Sequence, residues 1–116
     1  MALIPTTEDT FTEDVLTSSL PVLVDFTATW CPPCVMIKPV LQSIAADEAD
    51  RLRVVTVDVD ENPAIAARYG VLGMPTLALF VKGEVVVQVT GARPRSAIMS
   101  LVEPHLAAHS AVTFPA

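Results

Sequence analysis

The chain has 116 residues, of which 52% are hydrophobic and 17% charged, and its formal net charge is −6 at pH 7. Such a length fills one domain with one core, and the apolar content argues against intrinsic disorder. The seven Lys and Arg are scattered from Lys38 to Arg95 with no basic cluster, which argues against nucleic acid and favours protein or small-molecule partners.

At the N-terminus the residues turn acidic by Glu8 and Asp9 and carry no basic segment, unlike a secretory signal. No apolar run reaches the ~20 residues that span a bilayer, so the expectation is a cytoplasmic protein with no membrane partner. Thr10 and Glu13 match a capping box, and Phe11, Val15 and Leu16 follow with helical spacing. Residues 21–28 are apolar and bounded by Pro21, and they read as a buried strand. A helix is expected over residues 35–49, with Met36, Ile37, Val40, Leu41 and Ile44 as its core-facing stripe and Pro39 as a kink. Residues 52–59 are rich in β-branched side chains and read as a strand.

Asn62 and Pro63 have the N-cap and first-position chemistry of a short helix. Its inner face is Ile65, Ala66 and Tyr69, and Gly70 suits its C-terminal cap. Residues 75–81 and 85–89 form a predicted antiparallel pair around Lys82-Gly83-Glu84. Pro94 opens a last helix carrying Ile98, Leu101 and Val102, and Pro104 breaks its final turn. From His105 onward no pattern assigns structure. The order implies an α/β fold, a central mixed β-sheet with helices on both faces. One domain covers residues 1–116, with its core at about 7–107 and a tail at 108–116.

Both cysteines lie in Trp30-Cys31-Pro32-Pro33-Cys34, between the first long strand and the helix after it. A helix N-terminus stabilises a thiolate through its free N–H groups and dipole, and this spacing lets one sulfur reach the other. Three readings are open: an inert disulfide, half of a zinc site, or a redox pair. A short-loop bridge would stabilise little. Zinc would need two more ligands, and the only histidines are His105 and His109, so no metal is expected. Asp25 is the second notable residue, because a carboxyl inside an apolar strand is unfavourable unless paired or protonated. It could instead cap a bulge at a strand end, but Phe26 and Ala28 continue the strand.

Val24-Asp25-Phe26, Trp30-Cys31, Pro33-Cys34, Asn62-Pro63, Tyr69-Gly70-Val71 and Gly73-Met74-Pro75-Thr76 together resemble the thioredoxin family, over nearly the whole chain. The resemblance implies the thioredoxin fold and a thiol-disulfide oxidoreductase that reduces protein disulfides. Cys31 would be the attacking nucleophile, Cys34 the resolving thiol and Asp25 its general base. Cys31 would keep an accessible sulfur and Cys34 would be shielded. Pro75 would be cis and face the dithiol, with the Met74 backbone pairing a substrate strand. Trp30, Pro32, Pro33, Val59, Met74, Pro75, Gly91 and Ala92 would form an apolar docking surface. An NADPH-dependent flavoprotein, thioredoxin reductase, would recharge a monomer that carries no bound cofactor. Disulfide-containing proteins would be its targets.

Four positions depart from the family pattern. Pro32 stands where glycine is usual, Thr27 where a second Trp is common, and Val35 where a Lys often follows the second cysteine. Thr56 occupies the place of a Lys beside Asp25, which should leave burial free to raise the Asp25 pKa. Two alternatives stay open: a disulfide oxidant or isomerase, and a binding module in which the thiols are dispensable.

Overall fold

A computed structural model describes residues 3–108 of the chain. Its five strands are β1 (Ile4–Pro5), β2 (Val22–Thr27), β3 (Arg53–Asp58), β4 (Thr76–Val81) and β5 (Glu84–Thr90). The helices are α1 (Pro32–Asp47), α2 (Pro63–Arg68) and α3 (Arg95–Val102), with a π-helical turn at Thr12–Leu16 and a 3-10 turn at Glu103–His105. The strands lie in the order β1-β3-β2-β4-β5. β1 and β2 run parallel to β3, and β4 is antiparallel to both β2 and β5. This is the mixed sheet expected from the alternation of elements.

β2 is central, and each of its six residues is buried. Side chains alternate across a strand, so one strand feeds two cores. Val22, Val24 and Phe26 point to a layer with Phe11, Val15, Ile65 and Phe80. Leu23 points the other way, to Ile37, Leu41, Ile44, Leu77 and Ile98. Asp25 belongs to that second face, beneath α1.

Three local expectations are corrected. The capping box does not form. The Thr10 hydroxyl accepts from the Thr7 N–H at 3.0 Å and lies 3.0 Å from the Thr6 hydroxyl, so the loop ahead of the turn has already engaged it. Asn62 sits at the N-cap of α2 without capping it by side chain. Its Oδ1 accepts from the Glu8 N–H at 3.0 Å, and Glu8 Oε2 accepts from the Ala64 N–H at 2.8 Å. The carboxylate that serves this helix thus arrives from far away in sequence. Met36 is not in the core stripe but 74% exposed, because Cys34, Ile37, Leu41 and Ile44 already define the buried face of α1. Pro39 lies on the exposed side of α1, which continues past it to Asp47.

α1 and α3 are tied at the end remote from the cysteines. Buried Arg51 pairs with Glu48 and Glu103 at 2.7 Å each and donates to the Ala107 carbonyl at 3.0 Å. Arg95 meets Asp47 at 3.0 Å and also the Ser43 hydroxyl. His109 and the rest of the tail lie outside the described residues.

The β4–β5 turn places Lys82 and Gly83 at φ 51° and 81°. A Cβ on Gly83 would also meet the Leu16 carbonyl oxygen at 2.9 Å, whereas Gly70, at φ 65°, has open space there. Gly70→Ala should therefore lose about 1 kcal/mol for the left-handed backbone alone. Gly83→Ala should lose clearly more, as read from urea unfolding. Equal losses would show that Leu16 yields freely.

Candidate active site

The chain leaves β2 at Thr27, turns through Ala28, Thr29 and Trp30, and enters α1 with Cys31 as N-cap. Pro32 and Pro33 take the first helical positions, as their fixed φ and missing N–H allow. Neither can donate, so the first backbone N–H of the helix belongs to Cys34, and Cys31 Sγ accepts it at 3.3 Å. The Cys31 carbonyl accepts from Val35 N–H at 3.2 Å. The two sulfurs are joined, so this is the oxidised form. Cys34 is buried as expected, but Cys31 is only 4% exposed against 1% for Cys34. The expected difference in access is therefore small in the disulfide state. Ala28, Val59 and Met74 pack around the bridge.

The Met74–Pro75 peptide is cis, and Cys31 Sγ lies 3.6 Å from the Met74 carbonyl oxygen. Two hydrogen bonds hold this loop. The Thr76 hydroxyl donates to the Gly73 carbonyl at 2.6 Å, and Gly91 N–H donates to the Pro75 carbonyl at 2.7 Å. Gly91 does this at φ 103°, a conformation glycine adopts without strain.

Asp25 is fully buried, and among the described residues neither carboxyl oxygen has a hydrogen-bond partner. Burial pushes its pKa up to about 7, while Lys38 pulls it down. The expectation of a raised value holds, but not the absence of a cation. Thr56 does pair with Asp25 across β2–β3, yet a positive charge acts on it from α1 instead.

Of the predicted docking residues, Val59 and Met74 pack against the bridge, and the set differs widely in exposure. Trp30 is 64% exposed, and its indole N–H donates to Asp60 Oδ2 at 2.7 Å. Pro32, Pro33 and Ala92 are exposed, whereas Val59, Met74 and Gly91 are half-buried and Pro75 is buried. Met36 joins Ala92 and Pro94 around a groove of about 270 Å³. Sequence reasoning missed Met36 by assigning it to the core. It also missed the anchor at Asp60, thirty residues from Trp30, for which no local signal exists.

A disulfide at a helix N-terminus, with a cis-proline loop against one sulfur and a buried carboxyl on the strand behind, is consistent with what comparison finds. The thioredoxin family model matches residues 2–104. The chain belongs to the thioredoxin family. It is 46% identical to thioredoxin 1 of Synechococcus elongatus over 100 residues, covering 86% of this chain and 94% of that protein. It is 49% identical to a thioredoxin of Mycolicibacterium smegmatis, covering 84% and 89%. With a thioredoxin of Pyropia yezoensis it shares 42% identity, covering 91% and 99%. As a thioredoxin-family member with the Cys31–Cys34 pair, it is a thiol-disulfide oxidoreductase and protein-disulfide reductase working by dithiol-disulfide exchange. Disulfide-containing targets and a reductase are its partners in general terms. Among the described residues, no helix is long and apolar enough to cross a membrane.

The Asp25 environment has a thermodynamic signature. Its folded pKa of about 7 lies above the ordinary carboxyl value of 3.8, so the folded state holds the proton more tightly than the unfolded chain. Stability attributable to Asp25 is therefore intact below pH ~4 and is lost as pH rises through about 7. The loss amounts to up to about 4 kcal/mol at 1.36 kcal/mol per pH unit. Asp25→Asn should remove this dependence, so its stability relative to the parent should rise between pH 4 and pH 8. A difference that stays flat with pH in urea titrations would show that Asp25 is ionised throughout.

Proposed function

We propose that Cys31 is the thiolate that attacks target disulfides, Cys34 the thiol that resolves the complex, and Asp25 the acceptor of the Cys34 proton. In the first step Cys31 Sγ bonds to one target sulfur and the other leaves as a thiolate. Asp25 then takes the Cys34 proton, and Cys34 Sγ attacks Cys31 Sγ. The Cys31–Cys34 bond forms, the mixed disulfide breaks, and the second target sulfur departs. Two electrons have passed to the target, whose two thiolates take up protons.

The supporting observation is the seat of the dithiol: Cys31 at the N-cap of α1, accepting one backbone N–H, with Asp25 buried on the strand beneath and without a hydrogen-bond partner among the described residues. Trp30, Pro32, Pro33, Val59, Met74, Pro75, Gly91 and Ala92 give an extended target segment an apolar rim to lie on. The exposed Trp30 ring, held by Asp60, is its most prominent part. An NADPH-dependent flavoprotein reductase returns the electrons, and the protein works as a cytoplasmic monomer without a bound cofactor.

The first turn of α1 also bears on the direction of the reaction. A dithiol becomes more oxidising as its thiolate is better stabilised. Here Pro32 and Pro33 supply no N–H, Cys34 supplies one, and Val35 adds no cation. This weak stabilisation favours a reductant. The reduction potential against glutathione should fall nearer ~−270 mV than the ~−120 to −180 mV of oxidants and isomerases. A value in the latter range would overturn the reductant reading.

The roles separate in single-turnover reduction of a disulfide-bonded protein such as insulin. Cys31→Ser should abolish reaction, whereas Cys34→Ser should accumulate the mixed disulfide. Asp25→Asn should slow its release more than its formation. Equal slowing of the two steps would remove Asp25 from the role, and target binding that survives loss of both cysteines would favour a binding module.

A further inference from the structure

The groove of about 270 Å³ noted above has Met36, Ile37 and Val40 of α1 on one wall. Ala92, Arg93 and Pro94, from the loop that enters α3, form the other. Both walls continue the rim around the dithiol. Met36 lies three residues beyond Pro33 on α1, so the two are neighbours on one helix face. On the second wall Ala92 follows Gly91, whose N–H holds the Pro75 carbonyl at 2.7 Å. Buried Ile37 and half-buried Val40 make the floor apolar, while Met36 and Arg93 stand exposed at its edges. Arg93 is the one charged residue among those lining the groove. It donates to the Thr90 carbonyl at 3.4 Å and makes no ion pair among the described residues. Arg95 close by is already engaged, by Asp47 at 3.0 Å and by the Ser43 hydroxyl. The Trp30 side of the dithiol has the opposite sign. There Asp60 accepts the indole N–H, and exposed Glu61 follows it in the chain.

We propose that Met36 and Arg93 are specificity-determining residues: the groove receives one flank of a target cysteine, Met36 covering an apolar side chain and Arg93 pairing with a carboxylate beyond it. The inference rests on Cys31 as the attacking thiolate, because that attack brings the target cysteine to the rim where the groove begins. An unbranched thioether adapts to apolar side chains of different shape. A guanidinium offers a carboxylate paired N–H donors, and Arg93 has no such partner to give up among the described residues. The favoured targets therefore carry an apolar residue and then Asp or Glu on one side of the reactive cysteine. Lys in that place is repelled by Arg93. On the other side of the cysteine the preference inverts, because Asp60 and Glu61 repel a carboxylate there.

Peptides that hold a single cysteine as a mixed disulfide with thionitrobenzoate test this on the full-length reduced protein. Cys31 Sγ bonds to the peptide sulfur and thionitrobenzoate leaves as a coloured thiolate, so its release reads docking of the peptide. Leu or Ser stands near the cysteine, with Asp, Asn or Lys beyond it, in separate peptides for each side. On one side Leu-Asp should be favoured over Leu-Lys about two- to fivefold, the worth of an exposed ion pair. High salt should erase that preference. Arg93→Gln should abolish it and Arg93→Glu should reverse it. Met36→Ala should cut the preference for Leu over Ser roughly threefold and leave the Asp-to-Lys ratio in place. Each readout is a ratio within one variant, so a general loss of activity or folding does not imitate it. An unmoved Asp-to-Lys ratio in Arg93→Glu overturns the inference, and leaves attack by Cys31 standing if Cys31→Ser is inert toward every peptide. Release that persists in Cys31→Ser overturns both. Variants that alter only the recharging step assign the groove to the reductase and also overturn it.

Discussion

Burial of β2 on both faces is the constraint on which the rest depends. Its six residues have β3 on one side and β4 on the other, and every side chain is enclosed. A strand so placed has no solvent-facing positions for polar groups, which is why it reads in sequence as a nearly continuous apolar run. It also fixes where chemistry can occur. At its C-terminal end the chain must turn away from the sheet, and the first residues after the turn are the N-terminus of α1. The dithiol is therefore mounted on the best-packed element of the molecule, although the residues carrying it belong to a loop and a helix end.

The same burial gives Asp25 its character. Midway along such a strand, a carboxyl loses water on every side and, among the described residues, gains no hydrogen bond in return. Its proton affinity is consequently set by a contest between desolvation and one charge reaching it from α1. Cys31 experiences a milder version of the same economy of partners, because two consecutive prolines leave one N–H for its sulfur. Both groups are held in weakly compensated surroundings, and a small change in either can pass a proton or an electron pair.

Much of this was legible in the sequence, for reasons that are local. Period-two and period-3.6 patterns located β2 through α3, and Gly83 marked the hairpin because glycine takes positive φ without strain. The cysteine spacing and a lone carboxyl in an apolar strand singled out candidate residues before any packing was visible, and the family resemblance supplied their expected roles. What escaped has partners distant in the chain. Glu8 serves α2, Asp60 holds Trp30, and Arg51 grips Glu103, across 56, 30 and 52 residues. Met36 escaped for a different reason. Its hydropathy is that of a core residue, and only the fixed rotation of α1 turns it outward.

The exchange between Glu8 and Asn62 bears on how the molecule assembles. α2 has six residues, too few to persist in water by itself, and its own N-cap side chain faces elsewhere. The hydrogen bond that completes its first turn comes from a residue 56 positions earlier. Closing so long a stretch of chain is entropically demanding, and the pairing of β1 with β3 is what brings both ends together. The N-terminal segment thus supplies an end of α2 that the helix cannot complete from its own residues. Glu8 and Asn62 exchange support in both directions, the side chain of each accepting from a backbone N–H at the other's segment.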